Sequence, residues 1–242
     1  TAETPQDDVT AEWVVCSPET VARFSAAGYF FGRELHKQLK LPIGLLHSSW
    51  GGTPIQAWTS VKAHQAAPEL APMIPALESA IAAYDPQLAD ERYQKQVEAF
   101  KRAAAKAKAD RTPFKARPPR APVHPRISPK SPGRLYNGMI APLVPCALRG
   151  AIWYQGEANA HSPESARLYG LQLKTMAADW RGVWHQGDFP FIAVQLPNYM
   201  EPQQQPSETG GWPLIREQFL QMLARVPDSG IAVTIDIGQA DN

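Results

Sequence analysis

With 242 residues, 44% of them hydrophobic, the chain is long enough for one α/β domain carrying an insertion, or for two small domains. A formal net charge of +1 gives no bulk attraction to nucleic acid or an anionic membrane, and no apolar run reaches the length of a membrane span. The two cysteines, Cys16 and Cys146, are too few for a disulfide framework and lack metal-ligand spacing; one bridge is open to them, and two buried free thiols are the expectation.

In chain order, residues 1–10 are polar and read as a loose entry segment, followed by a short strand at 12–16. Ser17-Pro18-Glu19 supplies a cap, a proline at the first helical position and an acid in the first turn, which predicts a helix running to Lys40. Val21, Phe24, Ala27, Gly28, Phe31 and Leu35 recur along it at helical spacing. Residues 41–46 form a short apolar run with Pro42 near its start, expected as a buried strand ending before Ser48 and Ser49. Gly51-Gly52 breaks that strand, and Thr53-Pro54 restarts the chain as a helix. Such a break leaves main-chain N–H groups beyond the strand end, suited to a phosphate, a carboxylate or a developing oxyanion. A tight turn that needs glycine for steric reasons is the plainer reading.

Residues 61–133 differ in composition. An alanine- and charge-rich stretch has helical patterning around 93–101, with Asp85-Pro86 dividing two helices. Residues 111–132 are basic and dense in proline, so they are expected to run extended. The whole stretch reads as an insertion, a helical hairpin with a proline-rich return strap, in a core made of 1–60 and 134–242. Its cations read as a solvated strap, not a nucleic-acid arm, because acidic residues of the insertion offset them.

A regular pattern follows: a strand at 148–154, a helix at 163–184 with Leu168, Leu171, Met176 and Trp180 inward, a strand at 190–196, a helix at 212–223 and a strand at 231–236. Apolar strands alternating with helices predict a parallel sheet covered on both sides. Functional residues of such sheets gather beyond the carboxyl ends of the strands, here 48–53, 155–159, 197–199 and 236–242. Gln155 and Asn159 carry neutral amides suited to polarising a carbonyl oxygen, and Glu157 between them suits fixing an amide or acting as a base. A hydrogen-bonded turn is the alternative for each. None of the six histidines pairs with another at metal-ligand spacing, and Asp236 and Asp241 lie where open sheets often place an acid.

The blocks GLLHSSWGGTPIQAW (44–58), LYNGMIAPL (135–143), RGAIWYQGEANA (149–160), DWR (179–181), FPFIAVQL (189–196) and IAVTIDIGQADN (231–242) resemble the sialate O-acetylesterase family of SGNH-type carbohydrate esterases. WVVCSPETVARFSAAGYFFGREL (13–35) and the order of the blocks do so too. The resemblance covers nearly the whole chain outside 66–132. It implies a three-layer α/β/α domain with a central parallel sheet, removal of acetyl groups from sugars or glycans by a serine nucleophile, no metal or organic cofactor, and an extracytoplasmic setting. At matching positions it implies that Gly51-Gly52 supplies an oxyanion-hole N–H and that Gln155 and Glu157 supply an amide donor and its support. Asp241 would open the family's last block. Trp50, Asn137 and Asn159, within the same blocks, are expected to face the substrate.

Two family features are not among these residues: no Gly-Gln-Ser-Asn carries the nucleophilic serine, and no isoleucine-histidine-proline carries the catalytic histidine. The expectation is an incomplete esterase, inactive alone, whose site is finished by a complementary chain segment. Ser49 is a rival nucleophile, since Ser49-Trp50-Gly51 is half of a G-x-S-x-G elbow, but His47 stands where its first glycine belongs. A non-catalytic carbohydrate-binding or structural piece is the second rival. Trp50, Trp58, Trp153 and Tyr154 would stack on sugars, although three of them sit in apolar contexts that suit a core. The sugar that carries the acetyl group is left open.

Overall fold

The computed structural model describes residues 1–144, 146–199, 205 and 210–238. Its first helices are α1 (Pro18–Val21) and α2 (Ala26–Leu39), two pieces where the sequence predicts one helix. Ser17 caps α1 in a capping box with Thr20, and Ser25 caps α2 by accepting from Gly28 N–H at 3.2 Å. A serine that can cap a new start makes the break at 22–25 cheap.

Residues 12–16 and 41–46 are not strands. Both are irregular, and much of their apolar surface is open: Trp13 is 71% exposed and Val15 88%. A strand needs a ladder partner, and 41–47 packs sideways on α2 instead. Leu45 lies over Gly32, where a Cβ would meet Leu45 Cδ1 at 2.7 Å, and His47 packs on Phe24 at 5.0 Å between ring centroids. Thr53-Pro54 leads into a single 3-10 turn, Ile55–Trp58, and not into a longer helix.

Helices α3 (Val61–Ala66), α4 (Met73–Ala82) and α5 (Pro86–Ala109) follow, with Asp85 capping α5 through Gln87 and Leu88 N–H at 2.9 and 3.0 Å. The proline-dense stretch after α5 has no helix or strand and is pinned back by Phe100–Phe114 and Tyr84–His124 ring contacts. Ser60 anchors α3: its N–H and hydroxyl both donate to Asp179, at 2.7 and 2.8 Å, and its carbonyl contacts His64 Nδ1 at 2.8 Å. Burial pushes the Asp179 carboxyl up and the His64 imidazole down.

The sheet has three parallel strands in the order β1-β2-β3, being β1 (Ala151–Trp153), β2 (Phe191–Val194) and β3 (Ser229–Ala232). Ala151 pairs with Phe191, which pairs with Ser229. Parallel neighbours need long crossovers; α6 (Pro163–Trp184) supplies the first and α7 (Gly211–Arg225) the second. Helix α6 begins at the cap Ser162 and the N1 proline and ends where His185 turns left-handed at φ 52°. Its buried stripe is Ala166, Tyr169, Gly170, Leu173, Met176, Ala177, Trp180 and Trp184, so Leu168 and Leu171 flank the stripe and do not centre it.

Trp153 and Phe191 meet Trp180 edge-on at 5.8 and 6.1 Å, which makes one sheet face the core. The other face is open, with Ile152 38% exposed, Ile192 and Val194 half-buried and Ala232 exposed. The expectation of a sheet covered on both sides therefore holds for one face only among the described residues. The third strand also starts at Ser229, two residues before the predicted run, because pairing with β2 and not hydrophobicity sets its ends. Both cysteines are free, and exposed instead of buried.

Candidate active site at the carboxyl ends of the strands

The Gly51-Gly52 turn sits in the open, with φ +74° at Gly52 and nothing within 4 Å of a Cβ built on either glycine. Neither glycine N–H has a hydrogen-bond partner among the described residues. The turn is held from behind by Thr53, whose hydroxyl donates to Trp50 O at 2.7 Å and accepts from Trp58 Nε1 at 3.0 Å. Trp50 is 47% exposed beside it.

The 155–159 loop is tied to this turn by buried amides. Gln155 Nε2 donates to Thr53 O and to Asn159 Oδ1, each at 3.0 Å, while Asn159 Oδ1 also accepts from Ile55 N–H at 3.0 Å. Asn159 Nδ2 donates to Gln56 Oε1 at 3.2 Å. Behind them the Tyr169 hydroxyl lies 2.8 Å from Gln155 O and 2.9 Å from its Oε1, and accepts from Trp153 Nε1 at 3.0 Å. Burial raises the Tyr169 hydroxyl far above an ordinary phenol, so it stays a donor at any working pH. Gly156 passes so close to Leu196 that a Cβ would meet it at 3.1 Å.

Both amide hydrogens of Gln155 are therefore engaged internally. The structure places Gln155 and Asn159 as ties between two loops, facing inward, and the open donors at the rim are main-chain N–H groups. Asn137 is elsewhere: buried in a turn at Tyr136–Ile140, it donates to Ala2 O and Glu3 O at 3.2 and 2.8 Å and holds the first residues of the chain. Ser49 is exposed, and its Oγ lies 2.6 Å from His47 Nε2. Asp241 lies outside the described residues.

Beyond the ends of β1 and β2 opens a cavity of about 490 Å³, lined by Tyr154, Glu157, Pro197, Asn198, Tyr199, Trp212 and Gly238. Three of the four predicted rim segments contribute to it. Glu157 is exposed there, and Tyr154, 51% exposed, has its hydroxyl pushed up by partial burial and by the Glu157 charge. Tyr199 and Trp212 stack at 5.0 Å and 17°. Trp212 was not readable as a site residue, because at the start of an amphipathic helix it looks like core. Among the described residues no group of three or more His, Cys, Asp or Glu side chains converges as a metal site, and no helix is long and apolar enough to cross a membrane.

Loops that meet in a cavity at the carboxyl ends of parallel strands lie where open α/β sheets place their ligand sites. A family model described as "Carbohydrate esterase, sialic acid-specific acetylesterase" matches residues 126–240. The sialate O-acetylesterase of Rattus norvegicus is 33% identical over 230 residues, which are 90% of this chain and 38% of that protein. That of Homo sapiens is 28% identical over 230 residues, 90% of this chain and 34% of that protein. A crystal structure described as a novel carbohydrate acetylesterase from Xanthomonas citri superposes with a TM-score of 0.67 at 30% identity, covering 99% of this chain and 41% of that one. The chain thus spans about two fifths of the length of these relatives. These matches make it a homologue of the carbohydrate esterases. Within that class, the sialate O-acetylesterases are the proteins it is similar to.

Proposed function

We propose that the chain is a working part of a carbohydrate O-acetylesterase, which cleaves acetyl esters from sugars by attack of a serine. In this reading the Gly51 and Gly52 N–H groups face the developing oxyanion, and the buried Gln155–Asn159 network holds them in place. Donors fixed before the reaction cost no reorganisation when charge develops, which is why such sites act chiefly in the transition state. Glu157 borders the sugar cavity, and Asp241 belongs to the acid/base region. The core is 1–60 with 134–242, a three-layer SGNH-type domain in the whole protein, and 61–133 is an inserted hairpin and strap. A complementary segment brings the nucleophilic serine and its histidine. No metal or organic cofactor enters this chemistry.

The observation that carries this reading is the tie of Gln155 to Thr53 O, which couples the glycine turn to the cavity loop in a chain homologous to acetylesterases. A second reading rests on the 2.6 Å contact between Ser49 Oγ and His47 Nε2, the distance of a nucleophile and its base. Turnover of p-nitrophenyl acetate by the chain alone decides between them. Negligible hydrolysis is expected, as a nucleophile and base supplied from elsewhere would be missing. Robust hydrolysis lost in Ser49→Ala would make Ser49 the nucleophile.

A further inference from the structure

We infer that the free end of α5, with the turn that follows it, binds an acidic polysaccharide, a glycan chain with carboxylates on successive sugars; the choice of a glycan rests on the carbohydrate esterase reading. Helix α5 has no buried residue, and at about 1.5 Å per residue its 24 residues extend about 36 Å. Its end is a closed turn. Arg111 is left-handed at φ 53°, its N–H donates to Lys108 O at 3.3 Å, and Thr112 N–H donates to Ala107 O at 2.9 Å. The returning chain then sets Phe114 on Phe100 at 5.2 Å between ring centroids. This end gathers Lys101, Arg102, Lys106, Lys108, Arg111 and Lys115, all exposed, against one carboxylate, Asp110.

The other acids of the insertion do not offset these cations where they stand. Glu98 is taken up by Lys101 at 3.2 Å, and the remaining cations of this end have no ion pair among the described residues. Asp90 and Glu91 lie about 22 Å or more along the helix from Lys106. Exposed charges are largely screened beyond about 8 Å at physiological salt. Glycine is the residue that suits a left-handed helix end, so the arginine at 111 gives up local stability and sets a cation at the apex. What other anionic partners call for is missing here. Residues 101–115 hold no Trp or Tyr on which a base could stack, and their one large apolar side chain, Phe114, is turned against Phe100 and not toward a bilayer. Separate cations on flexible stems suit a chain of repeated carboxylates, held by charge density and released by salt.

Biolayer interferometry of the 242-residue chain tests this on immobilised polygalacturonate and on the same polymer with its carboxyls methyl-esterified. At about 0.05 M salt the acidic polymer is expected to bind about tenfold or more tighter, with the difference shrinking as salt rises. Arg102→Gln/Lys106→Gln/Lys108→Gln should weaken that binding about tenfold or more. Lys37→Gln/Arg149→Gln/Lys174→Gln removes the same charge from other exposed positions and should weaken it less than about threefold. Arg111→Gly should weaken binding about twofold with a melting temperature no lower than the parent's, so that lost binding is not lost folding. Equal binding of the two polymers overturns the proposal, as do equal losses in the two triple variants. Tighter binding to duplex DNA or to phosphatidylserine vesicles than to polygalacturonate overturns it too. Acetate release by the complete protein is measured separately. Polygalacturonate binding without acetate release removes the esterase reading and keeps the binding end; acetate release without that binding does the reverse.

Discussion

Gln155 shows how much a single side chain's surroundings decide. From sequence its amide suits a substrate carbonyl, yet here both hydrogens go to Thr53 O and Asn159 Oδ1. An amide looks the same whether it faces a ligand or a neighbouring loop, so its rim position was readable and its direction was not. Gln155→Leu should cost about 1–3 kcal/mol by leaving two buried acceptors short of a donor, seen as a lower urea midpoint at unchanged slope. An unchanged midpoint would show that the tie contributes nothing. His64 and Asp179 give a pH signature at the same scale. His64 titrates lower when folded than its ordinary 6.5, so below about pH 6.5 the unfolded chain takes up a proton that the folded chain refuses. Stability falls from there down to the folded pKa. Asp179 titrates higher when folded than its ordinary 3.8, so its contribution has the opposite sign: it is greatest at low pH and is lost as pH rises through that window. The variant separates the two groups: between pH 7 and 5 the parent's melting temperature should fall relative to that of His64→Gln. Parallel pH profiles for the two proteins would contradict this.

Among the elements, those with their own start and stop signals were readable. Helix α6 runs from Pro163 to Trp184 as predicted because Ser162 and Pro163 mark its start, and α5 begins at the Asp85-Pro86 break. The run 41–46 was not readable, since hydrophobicity alone does not supply the partner that a strand requires. Two glycines of α6 test its packing. A Cβ at Gly170 would strike Gln218 and approach Arg225 Nη1 to 2.9 Å on α7, whereas nothing lies within 4 Å of one at Gly182. Gly182→Ala should stabilise the chain by about 0.5–1 kcal/mol through helix propensity. Gly170→Ala should lose that gain, because the Gln218 amide and the Arg225 guanidinium must move aside to admit the methyl group. Equal effects at the two sites would mean that α6 and α7 do not meet as closely as described.

On the scale of the whole molecule, the core under one sheet face is continuous, while the first 50 residues and the other face leave large side chains in water. Trp13, Val15, Leu41 and Ile237 are 71%, 88%, 57% and 73% exposed. Apolar surface of this extent marks an interaction face or an aggregation liability. The chain by itself should bind a hydrophobic dye and self-associate in light scattering; a dye-silent monomer with one sharp cooperative melt would contradict this. The proposal that the glycine turn serves the oxyanion is tested most directly in the active protein by comparing Gly51→Pro with Gly51→Ala. Alanine keeps the N–H and has free space around its Cβ, while proline deletes the donor. With both variants folded by circular dichroism, Gly51→Ala should retain kcat within about threefold, and Gly51→Pro should lose about 10²–10³ in kcat with KM little changed. Equal kcat values for the two variants would show that the Gly51 N–H takes no part in the reaction.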